Sequence, residues 1–263
     1  MGLQWELAKK YLQYYFTAGN RHDVHSPFVF DLVEKVLRDR KKPAVFREIE
    51  QVRKSLLHST ETLQVTDLGA GSLTNAGRER SVSDITRHAA KPPKFGQLFY
   101  RLIQYFQPEY LLELGTSMGM STAYMAKAAP SATVHTIEGC PNIAARAGTN
   151  FKALQLQNIK QHVGNFDAVL PVLLKELPRL DYVYIDGNHR SVPTLNYFEQ
   201  CLTKVHDESL FIFDDIHWTP DMEAAWHIIQ QHPKVTFTID LFFIGLVFFR
   251  SDMKVKQHFT LKY

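Results

Sequence analysis

The sequence predicts an α/β fold with a doubly wound, mostly parallel sheet and an N-terminal helical extension. From Tyr110 onward, short apolar segments alternate with helix-like segments, which is typical of right-handed βαβ crossovers. The first five apolar segments are nearly continuous, as strands buried on both faces are. Only two or three residues separate the last two segments. We therefore expect a terminal hairpin in which one strand runs antiparallel to the rest.

Individual elements follow from local patterns. Residues 1–60 are predicted to be helical, because Glu6–Phe16 and Ser26–Asp39 carry apolar residues at helical spacing. The basic stretch from Leu73 to Phe95 is predicted to be a mobile loop or cap segment. The predicted strands are Leu111–Gly115, Thr133–Glu138, Ile159–Val163, Tyr182–Asp186, Leu210–Asp214, Val235–Ile239 and Phe242–Phe249. The predicted helices between them are Ser121–Ala129, Asn142–Leu154, Phe166–Glu176, Val192–Val205 and Pro220–His232.

Length and composition limit the function classes. A chain of 263 residues is long enough for one large α/β domain with an extension. A net charge of +3 permits an anionic ligand without the dense Lys/Arg clusters that nucleic acid binding usually shows. Two cysteines exclude a disulfide framework and a cysteine-based metal site, and they favour a reducing compartment. No apolar run reaches about 18 residues, so we expect no membrane span and a cytoplasmic location.

Two glycine turns compete as the cofactor loop. Such a loop needs a buried strand before it, a helix after it and an acidic residue at the end of the next strand. The turn Gly115–Gly119 meets all three conditions, with Ser121 or Thr122 near the helix cap and Glu138 closing the next strand. The turn Gly69–Gly71 lacks the helix and the acid. It is predicted to be a structural or cap-forming turn, with a substrate-side loop as the alternative.

The segment LELGTSMGMS, followed by IEG, resembles motif I and the next acidic residue of the class I S-adenosylmethionine-dependent methyltransferases. The resemblance covers about Phe95–Arg250. It implies a Rossmann-like domain at residues 96–263 after a helical and basic cap region at 1–95, and a strand order of 3-2-1-4-5-7-6. The G-x-x-x-G spacing disfavours a dinucleotide dehydrogenase.

The same resemblance implies S-adenosylmethionine as the cofactor. Glu113 and the glycine turn would face its methionine part, Glu138 would hold its ribose, and Gly164–Asp167 would contact its adenine. The predicted cofactor residues are Glu113, Gly115, Thr116, Ser117, Gly119, Ser121, Glu138, Gly164, Asn165, Phe166 and Asp186.

Acidic residues follow the fourth and fifth predicted strands. Asp186 ends the fourth strand, and Asp214 and Asp215 end the fifth. The carboxyl ends of parallel strands meet beside the switch point of the sheet, so three carboxylates would repel each other and raise their pKa values. A divalent cation relieves that repulsion, and oxygen ligands suit Mg²⁺, Mn²⁺ or Ca²⁺ better than zinc. The alternative is that these acids cap helices.

The patterns IDG-x-H and DD-x-H resemble the metal-dependent O-methyltransferases of the catechol and caffeoyl type, and more closely the bacterial sugar type. This resemblance implies Asp186, Asp214 and Asp215 as metal ligands, with Mg²⁺ expected. The sugar-modifying relatives usually carry an Asp where this chain has Asn188, which cannot accept a proton. We therefore expect His189 as the base, with His217 as the second candidate. The alternative for each histidine is a capping or supporting role.

The predicted function is metal-assisted transfer of a methyl group to a hydroxyl of a small molecule. One alternative is a nucleic-acid or protein methyltransferase, which would use the basic segment from Arg78 to Lys94 as its electrostatic footprint. We interpret that basic segment as a solvated loop, with an anion-binding lid as the alternative. Nucleic acid is therefore not an expected partner. The other alternative is a cofactor-binding protein without catalysis, which Asn188 favours.

The first predicted helix is unusually aromatic. We interpret its aromatic residues as core or interface packing, which makes a homodimer one expectation. The alternative is a lid over a planar or apolar acceptor. The residues are Trp5, Tyr11, Tyr14, Tyr15 and Phe16.

Overall fold

The computed structural model describes residues 2–20, 26–66 and 79–263. It contains two compact units, one formed by residues 1–38 with 177–263 and the other by residues 39–176. The turn Gly69–Gly71 lies outside the described residues. The boundary between residues 95 and 96 stays a prediction.

The elements are as follows. The helices are α1 (Gly2–Thr17), α2 (Pro27–Leu32, continued by a π-helical turn at Val33–Leu37), α3 (Ala44–Leu57), α4 (Val82–Ala89), α5 (Pro93–Phe106), α6 (Met120–Ala128), α7 (Pro141–Ala153), α8 (Phe166–Glu176), α9 (Ser191–Cys201, continued by a 3₁₀ turn at Leu202–Lys204) and α10 (Pro220–Gln231). The strands are β1 (Thr62–Gln64), β2 (Glu79–Ser81), β3 (Tyr110–Leu114), β4 (Thr133–Glu138), β5 (Ile159–Val163), β6 (Tyr182–Ile185), β7 (Leu210–Asp214), β8 (Phe237–Asp240), β9 (Ile244–Phe248) and β10 (Gln257–Thr260).

The unit of residues 39–176 contains β3, β4 and β5, which pair in parallel in that order. A separate antiparallel pair is formed by β1 and β2. Helices α3, α4 and α6 share a buried apolar cluster that includes Phe46, Ile49, Val82, Ile85 and Tyr124.

The unit of residues 1–38 and 177–263 contains five strands in the order β6-β7-β9-β8-β10. Strand β9 runs antiparallel to both β7 and β8, and β10 pairs in parallel with β8. The seven predicted strands correspond to β3–β9. The predicted order 3-2-1 is found in the unit of residues 39–176, and the predicted order 4-5-7-6 is found in the other unit. The predicted α/β class, with a mostly parallel sheet and one reversed strand, is confirmed. Strand β10 is an addition to the seven predicted strands, because its short, largely exposed sequence QHFT gave no signal.

The predicted elements between residues 110 and 249 are found, with ends that shift by one or two residues. The prediction of a loop up to Phe95 is wrong for the described part of that stretch, residues 79–95, which forms β2, α4 and the start of α5. Ser81 caps α4 by accepting a hydrogen bond from the Asp84 backbone at 3.1 Å. Val82 and Ile85 are buried beneath it. The many arginine and lysine residues of this stretch led to the prediction of a loop, although α4 is a short amphipathic helix.

Helix α1 has an inner aromatic face that packs on the turn between β8 and β9. The ring centroids of Tyr11 and Tyr14 lie 5.1 and 5.2 Å from that of Phe242. The Tyr14 hydroxyl also donates to the Leu261 carbonyl at 2.5 Å. This face therefore has the packing role that the sequence predicts.

The outer face of α1 is exposed. Phe16 is 77% exposed and Trp5 is 65% exposed, and Leu12 and Tyr15 lie on the same side of the helix. The homodimer through this helix stays a prediction.

None of the helices within the described ranges is long and apolar enough to cross a lipid bilayer.

A histidine pair joins β4 and β5. His135 Nδ1 lies 3.0 Å from His162 Nε2, and the rings stack at 11°. Burial, with the nearby His162 and Lys160, lowers the pKa of His135 to about 4. Burial also lowers the pKa of His162. The pair is therefore neutral at pH 7.

This pair predicts acid sensitivity. The unfolded chain binds a proton on His135 more readily than the folded chain does, so stability falls as the pH drops below about 6.5 towards 4. Between pH 7 and pH 5 we expect His135 to account for a loss of about 2 kcal/mol in the free energy of unfolding. Urea unfolding at both pH values should show that His135→Gln removes most of this difference. His227→Gln, at an exposed position, is the control, and an equal pH dependence in all three proteins would contradict the prediction.

Candidate functional site

The glycine turn after β3 has a backbone that restricts its residues. Gly115 and Gly119 have φ values of 107° and 77°, and Gly119 begins α6 in a left-handed conformation. A Cβ atom on Gly119 would lie 2.3 Å from the Phe151 ring. The Gly119 amide donates to the Thr116 carbonyl at 2.8 Å. Glycine is therefore required at position 119 by both conformation and space.

The Glu113 carboxylate, near the end of β3, stabilises this turn through hydrogen bonds. Its side chain is fully buried and accepts hydrogen bonds from the hydroxyls of Ser121 and Thr122 at 2.5 Å and of Thr136 at 2.6 Å. The Thr136 hydroxyl also contacts that of Thr116 at 2.6 Å. Several hydroxyl contacts satisfy a carboxylate that burial would otherwise destabilise.

These contacts refine two sequence expectations. Ser121 and Thr122 were expected near the helix cap, but Gly119 holds that position and both hydroxyls bind Glu113. The geometry favours a role for Glu113 in positioning the turn over direct cofactor contact. The part played by Thr136 was missed, although the register places it opposite Glu113 on the neighbouring strand.

Glu138 lies at the end of β4, beside the tip of the turn. Its Oε2 accepts a hydrogen bond from the Ser117 amide at 2.8 Å, and its Oε1 accepts one from the Cys140 amide at 3.0 Å. Burial raises the pKa of Glu138 despite these backbone donors. The structure thus brings the predicted ribose-binding acid next to the glycine turn.

The segment after β5 reaches the same place. The Gly164 amide donates to the Glu138 carbonyl at 2.9 Å, and Gly164 has a φ of 146°. Asn165 Oδ1 accepts a hydrogen bond from the Asp167 amide at 2.8 Å and so starts α8 ahead of Phe166. An open turn, a carboxylate and a short polar segment within one unit fit an adenosine-containing cofactor.

Asp186 belongs to a different group. It lies in the other unit, where Asp186, His189 and Asp214 each offer one ligand atom, all within 4.8 Å of one another. Asp214 is only 2% exposed. His189 Nε2 lies 3.4 Å from Asp186 Oδ1, and the Tyr184 hydroxyl donates to Asp186 Oδ2 at 2.8 Å. Because β6 and β7 pair in parallel, the residues that follow or end them meet at one edge.

The group differs from the predicted ligand set. Asp215 is not a member; it has a φ of 52°, and its amide donates to the Phe243 carbonyl at 2.7 Å. Asp215 Oδ2 lies 3.9 Å from His189 Nδ1. His189 replaces Asp215 as the third potential ligand. Two carboxylates and an imidazole fit a divalent cation, and the nitrogen makes Mn²⁺ as suitable as Mg²⁺.

His217, the second base candidate, lies between two acids. Its Nε2 is 2.7 Å from Asp240 Oδ2 and its Nδ1 is 3.1 Å from Glu223 Oε1. Burial lowers the pKa of His217, but the hydrogen bonds and charges of the two acids outweigh it and raise the pKa above its usual value. Lys10 of α1 also binds Glu223 at 2.7 Å. Both ring nitrogens are engaged, which favours a structural role over the predicted catalytic one.

Comparison with known proteins gives one family match. Residues 112–216 match the model of a family described as a methyltransferase domain. A catechol O-methyltransferase from Niastella koreensis is 31% identical over 127 residues, which are 47% of this chain and 57% of that protein. The chain therefore spans little more than half the length of this curated relative.

Solved structures share the fold. An O-methyltransferase from Bacillus cereus in complex with SAH superposes with a TM-score of 0.57 at 19% identity, covering 84% of this chain and 97% of that one. TomG of Streptomyces achromogenes, an O-methyltransferase solved with SAM, gives 0.58 at 18% identity and covers 85% and 95%. The SAH-bound methyltransferase PaMTH1 of Podospora anserina gives 0.60 at 12% identity and covers 87% and 98%.

The hydroxyl contacts of Glu113 lead to a prediction. In Glu113→Gln, an amide nitrogen replaces one accepting oxygen and cannot accept a hydroxyl hydrogen bond in this fully buried place. We expect a loss of about 2–3 kcal/mol in the free energy of unfolding, measured by urea denaturation. Glu176→Gln, at an exposed position of the same unit, should change it by less than about 0.5 kcal/mol. Equal stability of the two variants would show that the contacts do not hold the turn.

Proposed function

We propose that this chain, of which residues 112–216 match a methyltransferase domain, transfers a methyl group from S-adenosylmethionine to a hydroxyl of a small molecule. We further propose that a divalent cation assists the transfer. The match of residues 112–216 to a methyltransferase-domain model and the fold shared with solved O-methyltransferases support this proposal. The observation that carries the choice of acceptor is the group Asp186, His189 and Asp214 at the ends of β6 and β7.

The cofactor residues in this proposal belong to the unit of residues 39–176. The backbone of the turn Gly115–Gly119 would bind the methionine part, and the Glu138 carboxylate would accept hydrogen bonds from the ribose hydroxyls. Glu138 is already oriented by the Ser117 and Cys140 amides. The SAM and SAH named with the structural relatives support this choice of cofactor.

The acceptor residues belong to the unit of residues 1–38 and 177–263. Asp186, His189 and Asp214 would hold the cation, with Asp186 oriented by the Tyr184 hydroxyl. A cation at this position supplies a positive charge that lowers the pKa of an acceptor hydroxyl and orients its oxygen. A catechol-like acceptor, with two adjacent hydroxyls, fits such chemistry.

The reaction forms an oxygen–methyl bond, breaks the sulfur–methyl bond and releases the hydroxyl proton. His189 was predicted to take that proton. Its Nε2 faces Asp186, which fits a ligand role, while its Nδ1 faces Asp215 at 3.9 Å. We assign His189 to the cation group, and its role as base stays a prediction. Most of the rate gain would come from holding the acceptor oxygen and the methyl group in line.

The cofactor part can be tested by calorimetry. We expect S-adenosylmethionine to bind the wild-type chain and Glu138→Ala to weaken binding by about tenfold or more, because two ribose hydroxyls lose a charged acceptor. Glu176→Ala is the exposed control. Thermal melting of each variant separates loss of binding from loss of folding. Unchanged affinity in a folded Glu138→Ala protein would show that another residue holds the ribose.

The metal part can be tested by activity. With a catechol-like acceptor, we expect transfer to need Mg²⁺ or Mn²⁺ and to stop with a chelator. Asp186→Asn and Asp214→Asn should each lower kcat/KM by about a hundredfold, since each removes a charged ligand. The cofactor affinity should stay unchanged, and Asp207→Asn, an exposed acid of the same unit, should behave as wild type.

Other results would favour the alternatives. Transfer that is indifferent to a chelator and to both Asp variants would favour a metal-independent methyltransferase, including one that acts on nucleic acid or protein. Cofactor binding without transfer to any hydroxyl acceptor would favour a binding protein without catalysis.

A further inference from the structure

Asn188 occupies an uncommon backbone conformation directly before His189. Its φ is +67°, in the left-handed region, and it lies in the loop that connects β6 to α9. Asn tolerates this conformation better than most other residues with a side chain. A residue in this region changes the local direction of the chain, so it contributes to where the next side chain points.

The Asn188 side chain is used at both ends. Its Nδ2 donates to the Tyr197 hydroxyl at 3.1 Å. Its Oδ1 accepts two hydrogen bonds from Arg190, from Nε at 3.0 Å and from Nη2 at 2.7 Å. Tyr197 lies on α9 and is buried, so the loop is attached to a rigid helix. An amide carries the donor and the acceptor that this arrangement uses.

The loop is fixed on its far side as well. The Ser191 amide donates to Asp221 Oδ2 at 2.6 Å, at the first turn of α10. His189 therefore lies between two attached points, Asn188 and Ser191. Its ring then lies with Nε2 3.4 Å from Asp186 Oδ1.

The missing charge at position 188 also matters. Asp186, Asp214 and Asp215 already place three carboxylates near His189, and a fourth would increase their repulsion. A neutral amide fixes the loop without adding to that negative charge.

We propose that Asn188 is a positioning residue that orients His189 towards Asp186 and Asp214 for cation binding. This inference rests on the cation group of the proposed function. In this proposal Asn188 orients His189 and does not accept a proton. The absence of an acid at position 188 is therefore not a sign of lost function.

Binding of Mn²⁺ alone to the full chain tests the inference, read by electron paramagnetic resonance of free Mn²⁺ and by calorimetry. Asn188→Gly keeps the left-handed backbone but removes both side-chain contacts, and we expect its Kd for Mn²⁺ to rise about tenfold. Tyr197→Phe removes only the hydroxyl contact, and we expect a rise of about threefold. The melting temperatures of both variants are measured alongside.

A further variant makes the test specific. Gln155→Gly, at an exposed left-handed position of the other unit, should bind Mn²⁺ as wild type does.

The outcomes separate the inference from the proposal beneath it. Wild-type affinity in Asn188→Gly would overturn the inference alone, and so would an equal loss in Gln155→Gly. Absence of Mn²⁺ binding by the wild-type chain would overturn both the inference and the cation part of the proposed function. Tenfold weaker binding in a folded Asn188→Gly, with a smaller loss in Tyr197→Phe and none in Gln155→Gly, would support the inference.

Discussion

The hydrogen-bonded carboxylate of Glu113 is the interaction on which the glycine turn after β3 depends. A charge with no exposure to water is stable only where hydrogen bonds replace its hydration, and hydroxyls from α6 and β4 do so here. The same contacts fix the first turn of α6 against two strands. These contacts also stabilise the Gly115–Gly119 turn, and Glu138 lies beside its tip. The buried Glu113 carboxylate thus stabilises one conformation of the glycine turn.

The ends of β6 and β7 are arranged differently, because charged side chains meet there and hydrogen bonds give several of them their own partners. Asp186 and Asp214 are brought together by the pairing of β6 with β7. The Asp215 amide donates to the Phe243 carbonyl, and the Asp215 carboxylate lies 3.9 Å from His189 Nδ1. His217 is held by Asp240 and Glu223, which also binds Lys10. Acids that the sequence places side by side therefore take separate roles.

The sequence predicted most of the α/β order because strands buried on both faces leave continuous apolar runs. It also placed Glu138 beside the turn and Asp186 near Asp214, since both follow from parallel strand ends. It did not predict that His189 replaces Asp215, because that depends on left-handed backbones at Asn188 and Asp215. The sequence did not predict helix α4, because its apolar face is short and lies in a stretch that is rich in arginine and lysine. Side chains that meet across strands, such as Thr136, require the register as well as the pattern.

The attachment of α1 has a consequence for the order of folding. Tyr14 binds the Leu261 carbonyl, and the Gly19 amide donates to the Thr260 carbonyl at 2.9 Å. These partners are made on the ribosome long after α1 itself. Residues 39–176, in contrast, form a unit that is continuous in sequence and is synthesised before residues 177–263. During synthesis, the unit of residues 39–176 can therefore begin to fold before the partners of α1 exist, and the aromatic side chains of α1 stay exposed until then.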